Sequence, residues 1–267
     1  MNGLVKKGMT GFQLKVLGII TMVMDHLGEF FSFLGIPGWF HWFGRITAPI
    51  FLFESSEGFI HTSNRKKYML RLLVGYWIMG VITSILNNYF AIGDTIVINN
   101  IFGTIFLGTV YMQACDYLKK RQTLGKGVLW LIVPTILSIL PIIALTIPTV
   151  LNSKLMMPLF KIFTFFIPTI FMTEGGVLFV LLAVLFYLFH GKKPLQVTAL
   201  VIIALITLFT GGVQAAFTTN YQWMMLFAAI PIIMYNGEKG RGMRNFFYIF
   251  YPAHIALFAI ISFCMQR

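Results

Sequence analysis

The chain is 267 residues long (30.3 kDa); 58% of it is hydrophobic, only 10% is charged, and the mean hydropathy is +0.84. Water-soluble domains carry about a quarter charged residues and at most half apolar ones, so a soluble globule is excluded, as are a disordered chain and a disulfide scaffold. The net charge of +12 comes from 20 basic and 8 acidic residues, and its placement speaks against nucleic acid. The Lys and Arg sit mostly between apolar runs that hold most of the aromatic residues, which leaves no basic, aromatic surface.

A helix needs about 20 apolar residues to cross a hydrocarbon core of ~30 Å. Such stretches fall near 13–34, 42–61, 69–90, 100–118, 127–147, 174–190, 195–213, 222–236 and 245–264. The expected architecture is all-α, a polytopic bundle of about nine transmembrane helices forming a single domain over 1–267. The first stretch follows Lys6 and Lys7 in the manner of a signal peptide. It is too long for one, contains Asp25 and His26 and lacks an Ala-x-Ala-like cleavage site, so it is expected to remain as the first span. Segment 155–172 is apolar but interrupted by Lys161 and two prolines, which suits a re-entrant or interfacial element. Cys115 and Cys264 fall near opposite faces, out of disulfide reach of each other. No internal repeat is visible, which weakens an inverted-repeat transporter reading.

Positive charge orients the bundle. With the N-terminus cytoplasmic, sixteen of the twenty Lys and Arg fall on the inner side, while Arg45, Lys154, Lys161 and Arg267 fall outside. The alternation fails if 155–172 crosses completely.

Ionisable groups inside a bilayer are costly and mark function. Four of the eight acids (Asp25, Glu29, Glu54 and Glu57) lie in the first two spans, and His26, His61 and His254 lie in or at the ends of spans. Asp25 and His26 share a broad helical face with Glu29, and Glu54, Glu57 and His61 form a stripe on the second span. At ~1.5 Å per residue, Asp25 and His26 stand roughly 18 Å from the inner end of the first span. By the same rise, Glu54 is about 18 Å from the outer end of the second span and His254 about 13 Å up the last. All four are expected near mid-depth, with Arg45 nearer the outer face as the counter-ion of Glu29. The set reads as a buried acid–base centre in a hydrated slot; its bland counterpart is a group of neutralised pairs that hold helices together.

The loop Asn236-Gly-Glu-Lys-Gly-Arg-Gly-Met-Arg244 and the run Arg65-Lys66-Lys67 are suited to wrapping phosphates with backbone N–H groups and cations. Solvated loops meeting anionic lipid headgroups would look the same. No P-loop, no zinc-spaced His/Cys cluster and no G-x-S-x-G elbow occurs, so neither ATP-driven work nor a metal site is expected.

Three stretches resemble a known family. Gln13-Leu-Lys-Val-Leu-Gly-Ile-Ile-Thr-Met-Val-Met-Asp-His-Leu-Gly28 resembles the opening of the TraX family. Gly44-Arg-Ile-Thr-Ala-Pro-Ile-Phe, Glu57-Gly-Phe and Asn64-Arg-Lys-Lys-Tyr with Arg71-Leu resemble its second span and first inner loop. Tyr235-Asn-Gly-Glu-Lys-Gly and Phe246-Phe-Tyr-Ile-Phe-Tyr-Pro-Ala-His254 resemble its C-terminal signature. The resemblance covers about a hundred residues at the two ends. It implies an integral acetyltransferase of the bacterial cytoplasmic (inner) membrane, related to the acyltransferase-3 superfamily, whose namesake acetylates a pilin N-terminus from acetyl-CoA. It places Asp25, His26, Arg45, Glu57, Asn236, Gly237 and His254 at the family's marked polar positions.

The expected mechanism follows. Arg65, Lys66, Lys67, Lys239, Arg241 and Arg244, with Asn236 and Gly237, would hold cytosolic acetyl-CoA. His26, oriented by a carboxylate from Asp25, Glu29, Glu54 or Glu57, would deprotonate an acceptor amine or hydroxyl, on a pilin-like protein, a glycan or a lipid. Arg45 would stabilise the oxyanion, and His254 completes the set. Direct transfer and an acetyl-His relay both remain open. The alternatives are a proton-coupled transporter or flippase built on the same acids and histidines, and a membrane scaffold for a secretion apparatus.

Overall fold

The computed structural model describes residues 7–91, 96–98, 100–148 and 153–267; Lys6 and the side chain of Arg244 lie outside the described residues. All regular elements among the described residues are helical, apart from one isolated parallel bridge between Met9 and Tyr235.

Thr10 opens α1 (Gly11–Phe30) with a capping box in which its hydroxyl accepts the Gln13 N–H and Gln13 Oε1 accepts the Thr10 N–H. The next two N–H groups, of Gly11 and Phe12, are taken by the carbonyls of Glu238 and Lys239 at 2.8 and 3.0 Å. A loop late in the chain thus satisfies the orphan donors of the first helix. α1 stops at Phe30, four residues short of the expected limit, and the chain turns through Ser32–Leu34 to Gly35 at φ +75°. Hydropathy misses this stop because Phe30-Phe-Ser-Phe-Leu34 stays apolar.

The stretch expected as one span over 42–61 is two helices, α2 (Trp39–Gly44) and α3 (Thr47–His61), with the break at Arg45 and Ile46. α4 (Arg65–Tyr89) is capped by Asn64, whose Oδ1 accepts the Lys67 N–H at 2.9 Å. α5 (Ile101–Leu118), α6 (Leu124–Thr146), α8 (Gly176–Leu188), α9 (Lys193–Thr210) and α11 (Arg244–Gln266) fall where apolar stretches were expected. Between α6 and α8, α7 (Met156–Phe166) occupies the expected re-entrant or interfacial segment. Its 11 residues make about 16 Å of helix, too short to cross a core of ~30 Å. The 222–236 stretch forms a 3-10 helix, Gln222–Ala228, running into the short α10 (Ala229–Met234).

Among the described residues, four helices are long and apolar enough to cross a membrane: Arg65–Tyr89, Arg121–Thr146, Lys193–Thr210 and Asn245–Gln266. Little of their surface is buried, so they form the periphery, where apolar side chains meet lipid. The more polar α1 and α3 lie inward, and α3 packs against α1, α5 and α8 around the fully buried Leu14, Ile50, Phe53, Phe59, Met112 and Phe186. The helix ends that carry most of the Lys and Arg are tied together. Arg65 pairs with Asp116 at 2.6 Å, and Lys193 donates to the carbonyls of Ile233 and Tyr235. We call this the basic end of the bundle and the opposite one the far end.

Candidate functional site

Two glycines bring α1 and α2 close enough to share charges. A Cβ at Gly44 would stand 2.3 Å from the Cβ and Cγ of Asp25, and one at Gly28 would stand 3.0 Å from His41 Nε2. Across this contact Asp25 accepts from His41 Nδ1 at 2.8 Å through Oδ1 and from Arg45 Nη2 at 2.5 Å through Oδ2. Arg45 also donates through Nη1 to Gln222 Oε1 and through Nε to the His41 carbonyl, both at 3.3 Å. The ring of Tyr221 stacks on His41 and lies 5.5 Å from the guanidinium. Arg45 is therefore the partner of Asp25, which corrects the expected pairing with Glu29. The helix break at Ile46 frees its side chain to fold back along α2.

One residue further along α1, His26 meets His254 at 2.7 Å, Nδ1 to Nε2. Both are buried, with Phe250 stacked on His254 and Phe258 edge-on to it. The hydrogen bonds order the protons. His254 Nδ1 lies 2.9 Å from the Phe250 carbonyl, which can only accept, so Nδ1 carries a proton. In the neutral pair His254 Nε2 is then an acceptor, and His26 Nδ1 must donate to it. That leaves the lone pair of His26 on Nε2, the nitrogen 3.9 Å from Glu29 Oε2.

Asp25, His26 and Arg45 line a cavity of about 170 Å³ together with Glu174, Gln222 and Tyr251. Glu174 is held by its backbone, whose carbonyl accepts from Thr104 Oγ1 at 2.7 Å, and shares the cavity wall with Tyr251. Tyr251 in turn accepts the first N–H of α5, from Ile101, at 3.2 Å. Gly175 and Gly176, at φ +71° and +56°, turn the chain into α8 just behind this carboxyl. Two carboxyl groups and two imidazoles thus surround one guanidinium beside an open space. Asp25 stands 14 residues, about 21 Å, from the start of α1. The cavity accordingly sits toward the far end rather than at mid-depth, because α1 ends early.

Glu54 and Glu57 are not part of it. Glu54 pairs with Lys15 at 2.8 Å near the start of α1. Glu57 accepts from His190 Nδ1 at 2.8 Å, and its carbonyl accepts from His61 at 2.9 Å. Arg65 is engaged by Asp116 and Gln113 and covers the ring of Phe59. Lys66, Lys67, Lys239 and Arg241 are exposed at the same basic end. Asn236 caps its own loop, with Oδ1 accepting the Glu238 N–H at 2.9 Å, and Gly237 takes a left-handed φ of +83°.

The expected site residues therefore fall into two groups. Asp25, His26 and Arg45 line the cavity and His254 is joined to it through His26, whereas Glu54, Glu57 and the basic residues lie beyond it toward the basic end, Glu54 about one turn along α3 from the cavity-lining Phe51. Three cavity residues, Glu174, Gln222 and Tyr251, escaped the sequence reading, as did His41, the partner of Asp25. His41 stands four residues before Arg45, the spacing of one helical face, but one residue outside the expected span. Glu174 was signalled only by an acid before a Gly-Gly pair at the start of an apolar run.

A helical membrane protein with an ion-paired, histidine-containing cavity between its helices is the class that fold and site define. The chain belongs to the TraX family: the model described as TraX protein matches residues 10–262. It is 26% identical over 273 residues to the probable fimbrial assembly protein FimC, serogroup H1, of Dichelobacter nodosus, covering 96% of this chain and 97% of that one. No solved structure matches the chain.

Proposed function

We propose that the protein is an acetyltransferase of a bacterial cytoplasmic membrane, with its basic end in the cytosol and about nine spans, including the shorter central helices. It moves an acetyl group from acetyl-CoA to an amine or hydroxyl at the far end. The observation that carries this reading is the His26–His254 pair beside the Asp25–Arg45 ion pair on one cavity. His254 acts on His26 as the orienting group of a triad acts on its histidine.

Acetyl-CoA supplies an activated thioester, and the exposed Lys66, Lys67, Lys239 and Arg241 supply cations for its phosphates at the cytosolic face. His26 Nε2 takes the proton from the acceptor as its nitrogen or oxygen bonds to the acetyl carbon; the C–S bond then breaks, and CoA leaves as a thiolate that takes up the proton from His26. Arg45, held by Asp25, His41 and Gln222, keeps N–H donors for the developing oxyanion. The acceptor's place in the assembly of surface fibres is suggested by the name of the Dichelobacter relative.

Mass spectrometry of membranes from cells with and without the chain tests the reading. Acetylated species present only with the chain, and absent with His26→Ala, are expected. Labelled substrate crossing liposome membranes without any acyl donor would instead place the protein among proton-coupled carriers.

A further inference from the structure

Between α5 and α6, nearer the middle of the bundle, lies a second opening of about 350 Å³. Its walls are apolar, among them Leu107 and Val110 of α5, Trp130, Val133 and Leu137 of α6, and Pro168. Pro134 and Pro141 lie inside α6 and remove the N–H groups that the carbonyls of Trp130 and Leu137 would otherwise accept. Val133 is 47% exposed, so the slot opens sideways into lipid.

Residues 167–175 join the slot to the polar cavity along the chain. Pro168 lines the slot and Glu174 lines the cavity. α5 runs in the same order: Ile101 at the cavity, Gly103 against Thr173, Thr104 bonded to Glu174, then Leu107 and Val110 at the slot. From Ile101 to Val110 the helix rises about 13 Å. Within the connecting segment the hydroxyls of Thr169 and Thr173 are buried and have no hydrogen-bond partner among the described residues. Buried polar atoms of this kind are rare in native proteins. Here two of them lie, along the chain, between Pro168 at the apolar opening and Glu174 at the polar one.

We infer that slot, threonines and cavity form one site for an amphiphilic lipid. Its hydrocarbon chain fills the slot, and its hydrogen-bonding head lies at Thr169, Thr173 and Glu174. The order along α5, chain toward the bundle middle and head toward the far end, is that of a lipid in the leaflet at that end. A sideways opening admits a hydrocarbon chain without exposing any polar group to the bilayer. As the acceptor site of the acetyl transfer, this deepens the function proposed above and rests on it.

The test is photo-crosslinking of the whole protein in phosphatidylcholine nanodiscs without acyl donor. One probe is phosphatidylethanolamine with a diazirine in its acyl chain; the other is phosphatidylcholine with the same chain, whose head has no N–H. The first is expected to label peptides 106–110, 129–137 and 167–168 about tenfold more than the second, the value of one to two hydrogen bonds. Leu137→Trp should fill the slot and abolish the labelling. Thr173→Val should erase the head-group preference while the melting temperature in detergent holds. Equal labelling by the two probes, or labelling spread over the outer faces of α4 and α9, is bulk lipid and overturns the site. Protection by an apolar transmembrane peptide but not by unlabelled phosphatidylethanolamine assigns the slot to a protein partner and also overturns it. A labelled slot in a protein that transfers no acetyl group leaves the lipid site standing and removes the transferase; transfer without labelling does the reverse.

Discussion

The two ends of the bundle use similar residues to different effect. At the far end Asp25, Arg45, His26 and Glu174 are drawn from distant stretches onto one cavity, with His41 bonded to Asp25. At the basic end the acids meet basic neighbours locally: Glu54 meets Lys15, Glu57 meets His190, and Asp116 meets Arg65 and Lys119. Such local pairing suits helix registration. Several groups around a shared opening can take up a substrate, change protonation and return. The chemical types alone do not separate these cases; the way the groups are brought together does.

That contrast can be broken by mutation. The largest effect is expected from Asp25→Asn, which leaves the Arg45 charge half paired in a buried site. A loss of about 3–5 kcal/mol should appear in unfolding by SDS titration, and a loss under about 1 kcal/mol would mean that α1 and α2 are not held by this pair. His26→Ala should lower acetyl transfer by ~10²-fold or more with a nearly unchanged unfolding curve; near-normal turnover in membranes would remove His26 from proton transfer. Gly44→Ala forces a Cβ into Asp25, and a destabilisation of about 1–3 kcal/mol is expected from that overpacking, with transfer falling alongside it. Glu57→Gln should do far less. Its partner His190 is 40% exposed, so stability should change by about 1 kcal/mol or less and turnover should hold. The smallest effect is expected from Lys239→Ala with Arg241→Ala, a raised KM for acetyl-CoA at constant kcat. The backbone carbonyl of Lys239 still caps α1 in that variant, so an unchanged KM would return the loop to a purely structural role.

Much of the fold was legible because lipid imposes length and apolarity on each crossing. The expected stretches at 69–90, 100–118, 127–147, 195–213 and 245–264 each coincide with a helix to within about 4 residues. The reading was weakest at two breaks that hydropathy does not register: Phe30–Leu34, where α1 stops, and Arg45–Ile46, where α2 gives way to α3. Those two places decide the site: one shortens α1 and raises Asp25 toward the far end, the other turns Arg45 back onto it. Helical spacing put Asp25 beside His26, but it carries no information about which of several acids and bases meet across helices. For that reason Arg45 was matched to Glu29, and Glu54 was grouped with His254.

The histidine contact joins residues 228 positions apart, on the first helix and on α11. During synthesis Asp25 can find Arg45 within 20 residues, so the opening hairpin inserts with its acid already neutralised. The imidazole pair has to wait for nearly the entire polypeptide. Any product interrupted before α11 would carry the first ion pair but lack the second imidazole, so the site is completed only when α11 is in place.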